Sequence, residues 1–187
     1  MVSVVLLGKP GSGKGTLSLN LKEAFPDKVV HLSSGELIRE AAQAEPALAA
    51  QIEGGNLLTD EKMLEIFKKA FDAESKTGNF DGKLIILDGI PRNAKQVPLM
   101  KKYVGKIDWL LYMVLDDNQI ILDRLAKRGR ADDKPSVIEK RLKIYNANLK
   151  DILKEFPDEL VLKVDVSGSS ETVKRKVIDV FKSKGIL

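Results

Sequence analysis

The sequence predicts an α/β fold, a doubly wound five-stranded parallel sheet with helices on both faces. Three observations carry that prediction. Five short runs are rich in Val, Ile and Leu: Val2 to Leu7, Val29 to Leu32, Leu84 to Leu87, Trp109 to Leu115 and Leu160 to Val166. None alternates cleanly with polar residues, which is the pattern of strands covered on both faces. Helix-forming stretches separate the runs, as the crossovers of a parallel sheet require. A glycine-rich turn directly follows the first run, so strand, tight loop and helix succeed one another.

Taken in order, the first run ends at Gly8 and enters Gly8-Lys9-Pro10-Gly11-Ser12-Gly13-Lys14-Gly15-Thr16, after which Lys14 to Ala24 reads as a helix. Residues from about 34 to 62 follow the second strand with a helical pattern that holds Glu45-Pro46 and Gly54-Gly55, so a small helical excursion from the core is expected there. Thr59 to Glu74, Asn118 to Lys127 and Glu171 to Lys182 are further helices. The clearest helix begins after Asp133, with Pro135 suited to its first turn, and runs to about Glu155. Its Ile138, Leu142, Tyr145, Leu149 and Ile152 keep a 4-3-4-3 spacing, which predicts a core seam. There is no internal repeat, low-complexity tract or dividing linker, so residues 1–187 read as one globular domain.

Composition narrows the chemistry. With 187 residues, 43% hydrophobic and 31% charged, the chain can bury a sizeable core. No apolar run approaches a membrane span and Met1-Val2-Ser3 lacks the charged region of a signal peptide, so a soluble cytoplasmic protein is expected. Zero cysteines exclude disulfides and thiolate metal sites, and a single histidine, His31, argues against a histidine-rich metal centre or a Ser-His-Asp triad. The net charge of +4 comes from dispersed lysines without interleaved aromatics, which argues against nucleic-acid binding. Arginine is sparse and clustered: of seven, three crowd into Arg124-Leu-Ala-Lys-Arg128-Gly-Arg130. Arginine suits bidentate phosphate recognition, so the cluster marks a site.

The glycine loop has a direct physical reading. Its glycines, Gly11, Gly13 and Gly15 among them, let backbone N–H groups close around phosphate oxygens, with Ser12 and Thr16 adding hydroxyls. The helix N-terminus adds a favourable dipole, and Lys14 reaches the β and γ phosphates. The general phosphate-loop pattern places Ser or Thr directly after the lysine, whereas here Gly15 intervenes before Thr16.

That variant, GKPGSGKGT, resembles the loop of adenylate kinases and related nucleoside monophosphate kinases, which implies a P-loop NTPase-like fold with ATP as donor and AMP as acceptor. Ser33-Ser34-Gly35-Glu36-Leu37-Ile38-Arg39 resembles the acceptor-binding segment of that family, with Ser34 for the usual Thr and Glu36 for the usual Asp. Ser34 as an ordinary N-cap, with Arg39 in solvent, is the competing reading. Gly55-Asn56-Leu57-Leu58-Thr59-Asp60-Glu61 looks like the segment whose backbone lines the acceptor adenine before a helix begins, although Thr59 followed by acidic residues is also how an ordinary helix starts. Ile86-Leu87-Asp88-Gly89-Ile90-Pro91-Arg92 resembles the family's DGFPR: Asp88 is implied to orient a magnesium-bound water and Arg92 to grip the acceptor phosphate, with Gly89, Ile90 and Pro91 beside it. Gln96, four residues on, matches the AMP-using members, and its amide can both donate to and accept from an adenine edge. Asn93 matches the UMP/CMP kinases instead, so those acceptors remain the nearest alternative.

Arg124, Arg128, Arg130, Asp132-Asp133 and Arg141 look like the family's lid region, at about 128–133 here. Arg124 and Arg128 stand i, i+4 on one helix face and, unopposed, would repel each other, which is a reason to expect an anion between them; a solvated basic turn paired with Asp132 and Asp133 is the competing reading. The resemblance implies Lys14, Arg128, Arg130 and Arg141 around the reacting phosphates, Arg124 and the backbone near Ser169 at the donor base, and Arg39, Arg92, Arg130 and Arg141 on AMP. The implied cofactor is Mg²⁺ and no zinc. Arg128-Gly129 runs straight into Arg130-Ala131-Asp132-Asp133, a shorter lid than the family's short-lid members have. Two consequences are expected of it: leakage of phosphoryl groups to water, or cover by a neighbouring subunit of what is otherwise a monomer. A P-loop switch and a nucleic-acid-associated ATPase are the readings from other classes. No Asn-Lys-x-Asp guanine motif supports the first, and the second predicts salt-dependent nucleic-acid binding. His31 reads as structural.

Overall fold

The computed structural model describes residues 1–53, 58–130 and 133–187, with the side chains of residues 51–53 left aside. All five expected strands form: β1 Val2–Gly8, β2 Val29–Ser33, β3 Leu84–Asp88, β4 Trp109–Val114 and β5 Val161–Asp165. They make one parallel sheet in the order β2-β3-β1-β4-β5. The helices are α1 Lys14–Ala24, α2 Ser34–Ala44, α3 Pro46–Glu53, α4 Asp60–Lys76, α5 Gln96–Val104, α6 Asn118–Arg128, α7 Pro135–Lys154 and α8 Ser170–Ser183. Among the described residues no helix is long and apolar enough to cross a membrane.

The continuous apolar strands are explained by two cores, one on each face of the sheet. Because strand side chains alternate, Val5, Leu7, Ile85 and Leu87 enter one core with Ile38, Phe67, Val97 and Met100 of the intervening helices. Val4, Leu6, Leu84 and Ile86 enter the other with Leu17 and Leu21 of α1, Ile121 of α6 and Phe181 of α8. Phe67 and Phe181, each 0% exposed, anchor the two sides, and burying such a ring stabilises by about 1.5–3 kcal/mol.

The seam expected along α7 is only partly core. Ile138 and Ile152 are buried, but Leu142, Tyr145 and Leu149 are half-buried. The helix bridges the two cores, Ile138 and Leu142 belonging to one and Tyr145, Leu149 and Ile152 to the other. Its middle therefore faces a cleft, and Ile144 and Tyr145 line it.

Register places the functional ends together. Leu6 of β1 and Ser33 of β2 both stand beside Asp88 of β3, so Gly8, Ser33 and Asp88 gather at the carboxyl edge. The order reverses at β1, which lies between β3 and β4. In open α/β sheets ligands bind outside that edge at such a switch point.

Candidate functional site

A cavity of about 640 Å³ opens at this edge. The glycine loop forms its floor. Gly11 and Gly13 take left-handed φ values of 83° and 94°, which side chains with a Cβ rarely adopt. Gly13 is also the N-cap of α1, and no side chain caps that helix. The first-turn N–H groups thus face the loop without a capping partner, a ready anion site. Ser12 is 1% exposed and its Oγ has no hydrogen-bond partner among the described residues. Lys14 Nζ donates to the loop's own carbonyls, Gly8 O at 2.7 Å and Lys9 O at 3.1 Å. Burial pushes this ammonium down to about 8; Asp88 opposes the shift while Arg141, Arg92 and Arg128 add to it.

Asp88 ends β3 at 7% exposure, its Oδ2 3.7 Å from where a Cβ on Gly15 would stand. Burial pushes its carboxyl up, but His31, the Lys14 ammonium and Arg92 outweigh burial and hold it below the ordinary carboxylate value. His31 Nε2 lies 3.6 Å from Asp88 Oδ2, with its side chain only 4% exposed. His31 is thus a buried neighbour of the site's acid, too far for a hydrogen bond and near enough to act on its charge. Period-two alternation puts His31 and Ser33 on one face of β2, the one local signal for this placement.

On the acceptor side, Ser33 is the helix cap, its Oγ accepting from Glu36 N at 3.3 Å. This settles the competing reading of Ser34, which is not the N-cap. Ser34 is 1% exposed, its Oγ has no hydrogen-bond partner among the described residues, and it stands 2.6 Å from where a Cβ on Gly89 would be. Gly89, with φ 79°, is required there on both counts. Arg39 is half-buried on the cavity wall, beside Gly35, Gly89, Pro91 and Arg92. Ile90 is 0% exposed in the core, so only its backbone can meet a ligand. Leu58 is likewise a core residue at 8%, while Asn56 and Leu57 lie outside the described residues.

Gln96 is 1% exposed and is not among the described residues lining the cavity. Its Nε2 donates to Asp60 Oδ1 at 2.6 Å and its Oε1 accepts from Arg92 N at 2.7 Å. Asp60 and Asn93 thus join this side through side-chain bonds to Gln96 that motif matching does not show.

The lid arginines correct one expectation. Arg124 and Arg128 need no anion between them, because each is satisfied inside the protein. Arg124 Nη2 donates to Val166 O and Gly168 O, both at 2.8 Å, and its Nη1 reaches Ser12 O at 3.4 Å. It ties the glycine loop to the turn after β5. Arg128 forks onto Asp133, with Nε 2.9 Å from Oδ2 and Nη2 on Oδ1. Arg130 N also donates to Asp133, at 3.1 Å. Burial pushes Asp133 up, but Arg128, the Arg130 N–H and Arg141 hold it below the ordinary value. Arg130 and Arg141 line the cavity as expected, whereas Asp132 lies outside the described residues. Ser169 caps α8, accepting from Thr172 N at 3.2 Å, and its neighbour Ser170 lines the cavity.

Lys14, Arg39, Arg92, Arg128, Arg130 and Arg141 therefore share one cavity with a single buried carboxylate, Asp88. Such an excess of fixed positive charge suits two phosphorylated ligands and a step that moves negative charge between them.

Comparison with known proteins agrees. Residues 6–161 match the family model described as adenylate kinase. The chain is 32% identical over 179 residues to an adenylate kinase of Synechococcus sp. (strain WH7803), covering 91% of this chain and 93% of the relative. It is also 32% identical over 182 residues to one from Prochlorococcus marinus (strain MIT 9515), covering 93% and 95%. The adenylate kinase of Stenotrophomonas maltophilia (strain R551-3) is 32% identical over 192 residues, covering 96% and 98%.

Proposed function

The chain belongs to the adenylate kinase family and is a nucleoside monophosphate kinase, and we propose that it transfers the γ-phosphoryl group of ATP reversibly to AMP, giving two ADP. The observation that carries this reading is the single cavity that joins a phosphate loop, with Lys14, to a second arginine-lined pocket, with Arg39 and Arg92. A nucleotide switch has no use for the second pocket.

The acceptor phosphate oxygen is already ionised near neutral pH, so no strong general base is needed. Rate comes from alignment and from charge stabilisation of a loose transition state. Gly11, Ser12, Gly13, Lys14, Gly15 and Thr16 hold the donor phosphates. Arg128, Arg130 and Arg141 meet the group in flight, and Arg39 and Arg92 hold AMP. Arg124 braces the donor side through the carbonyls it binds. For Arg128 to act, Asp133 must release it.

Among the described residues no group of three or more His, Cys, Asp or Glu side chains could hold a metal ion. Asp88 lies beside the loop on the cavity wall, and a carboxylate there fits Mg²⁺, which keeps several waters and binds chiefly through substrate phosphates. When bound with ATP, the ion neutralises charge on the phosphates. The even spread of lysine argues against nucleic-acid binding, and the protein reads as cytoplasmic, and as monomeric unless a second subunit covers the site.

Product analysis with ATP and each of AMP, CMP, UMP and GMP tests the reading. ADP should form fastest with AMP. No ADP above the acceptor-free rate with any of them would overturn the kinase assignment, and CMP or UMP as best acceptor would overturn AMP. The lid gives a second expectation. α6 ends at Arg128 and α7 starts at Pro135, so the lid connection is limited to residues 129–134. ATP hydrolysis without acceptor should be measurable above the enzyme-free blank, unless a second subunit covers the site. Negligible hydrolysis by a protein that sedimentation shows to be monomeric would sink both branches.

A further inference from the structure

Thr59 caps α4, its Oγ1 accepting from Lys62 N at 3.3 Å, and Asp60 and Glu61 fill the first turn. An acid there complements the helix dipole, which accounts for the residue type but not for what its carboxylate does. The Asp60 carboxylate leaves its own helix and accepts from two amides across the fold. Gln96 Nε2 donates to Oδ1 at 2.6 Å, and Asn93 Nδ2 donates to Oδ1 at 2.9 Å and Oδ2 at 3.2 Å. Asn93 Oδ1 then accepts from Gln96 N at 3.1 Å, while Gln96 Oε1 accepts from Arg92 N at 2.7 Å.

The chemistry of these partners leaves the Gln96 amide one orientation. An ionised carboxylate only accepts and a backbone N–H only donates. The NH₂ end must face Asp60 and the oxygen must face Arg92, and a flip would set oxygen against oxygen and N–H against N–H. Among the described residues these bonds use one N–H and one lone pair, leaving one of each for a ligand. The order of that remaining pair is fixed with the rest. An adenine edge offers an exocyclic amine and a ring-nitrogen acceptor, which match the free lone pair and the free N–H. A 6-oxo purine offers the reverse and meets like against like.

We propose that Asp60 is a positioning residue that locks the Gln96 amide and so sets the preference of the acceptor site for bases bearing an amine over those bearing an oxo group. The inference rests on the reading of this pocket as the AMP site. It also gives Asn93 a structural role: that side chain donates to Asp60 and accepts from Gln96 N, and so belongs to the lock. Gln96 is 1% exposed, and the bonds to Asp60 and Arg92 N keep its amide in that orientation.

The test compares AMP with IMP, which differ at position 6 and in protonation of the adjacent ring nitrogen. Wild type should prefer AMP by at least about 100-fold in kcat/KM, since a site built around specific hydrogen bonds rejects a mismatched group strongly. Asp60→Asn keeps the size but offers both a donor and an acceptor, so residue 60 no longer selects the NH₂ end of Gln96 and only Arg92 N still holds the orientation. In this variant the AMP-over-IMP ratio should fall at least about tenfold, KM for AMP should rise, and KM for ATP should stay within about twofold. Asp60→Ser, a hydroxyl with the same dual character, provides a second variant with the same expectation should the first not fold. A folded variant that keeps the wild-type ratio overturns the lock. A wild type that leaves AMP unphosphorylated overturns the acceptor reading itself, a result visible before any variant is made.

Discussion

Lys14→Met is expected to lower kcat by roughly a thousandfold or more, the scale on which removing a fixed charge from a phosphoryl-transfer site acts. Methionine matches the reach of lysine but brings no charge. In the free protein the ammonium is held by Gly8 O and Lys9 O, loop carbonyls that a triphosphate need only replace. The lysine is thus aimed at the phosphates before they arrive, and its contribution is to the charge that develops during transfer.

Loss of the charge should not unfold the protein. The folded pKa of Lys14, about 8, lies below the ordinary 10.5, chiefly because of burial. Below pH 8 the group is charged in both states, and the folded state bears the cost of burying it. Between about pH 8 and 10.5 the unfolded chain binds more protons, so stability rises with pH in that window. Lys14→Met removes the effect. Thermal melts of the ligand-free proteins should show wild type gaining on the variant from pH 8 to 10.5, with the variant at least as stable at pH 7. Activity follows the opposite sign. Only charged Lys14 attracts the triphosphate, and kcat/KM reports the free enzyme, so kcat/KM for ATP should fall as pH rises through about 8. A flat profile to pH 9.5 would contradict the assignment.

What the sequence disclosed and what it withheld divide along physical lines. All five strands were legible because burial on both faces demands continuous apolar runs, and the glycine loop was legible because left-handed φ at Gly11 and Gly13 restricts residue choice. The site's second layer was not. Asp60 meets Gln96 across 36 positions, and an acid in a first helical turn looks like dipole complement whatever its carboxylate touches. Arg124 is satisfied by backbone carbonyls, which every residue has and no motif records. Ser33 and Ser34 are chemically alike, and a one-residue choice of helix start makes one the cap and turns the other toward Gly89. In α7 the apolar spacing was real, but periodicity cannot show that the face is shared between two cores and a cleft. His31 met Asp88 only once register placed β2 beside β3.

Arg92→Ala should reduce kcat/KM for AMP by about a thousandfold, comparable to losing an arginine that clamps a transferring phosphoryl group. Its Nε donates to Gly89 O at 3.0 Å, which anchors the guanidinium beside the turn that Ser34 and Gly89 shape, on the wall of the cavity. Arg92→Lys keeps the charge but not the planar fork, so it should recover only part of the loss. KM for ATP should move little in either variant, because Arg92 lies on the acceptor side. Its charge nevertheless reaches the donor side, where it helps lower the pKa of Lys14. Arg92→Ala should therefore shift the alkaline limb of kcat/KM for ATP to higher pH, while Arg92→Lys leaves it near the wild-type position. That pairing separates two roles in one residue: recognition needs the shape of the guanidinium, whereas tuning Lys14 needs only its charge. An alanine variant with an unmoved limb would show that the acceptor arginine and the donor lysine do not sense each other.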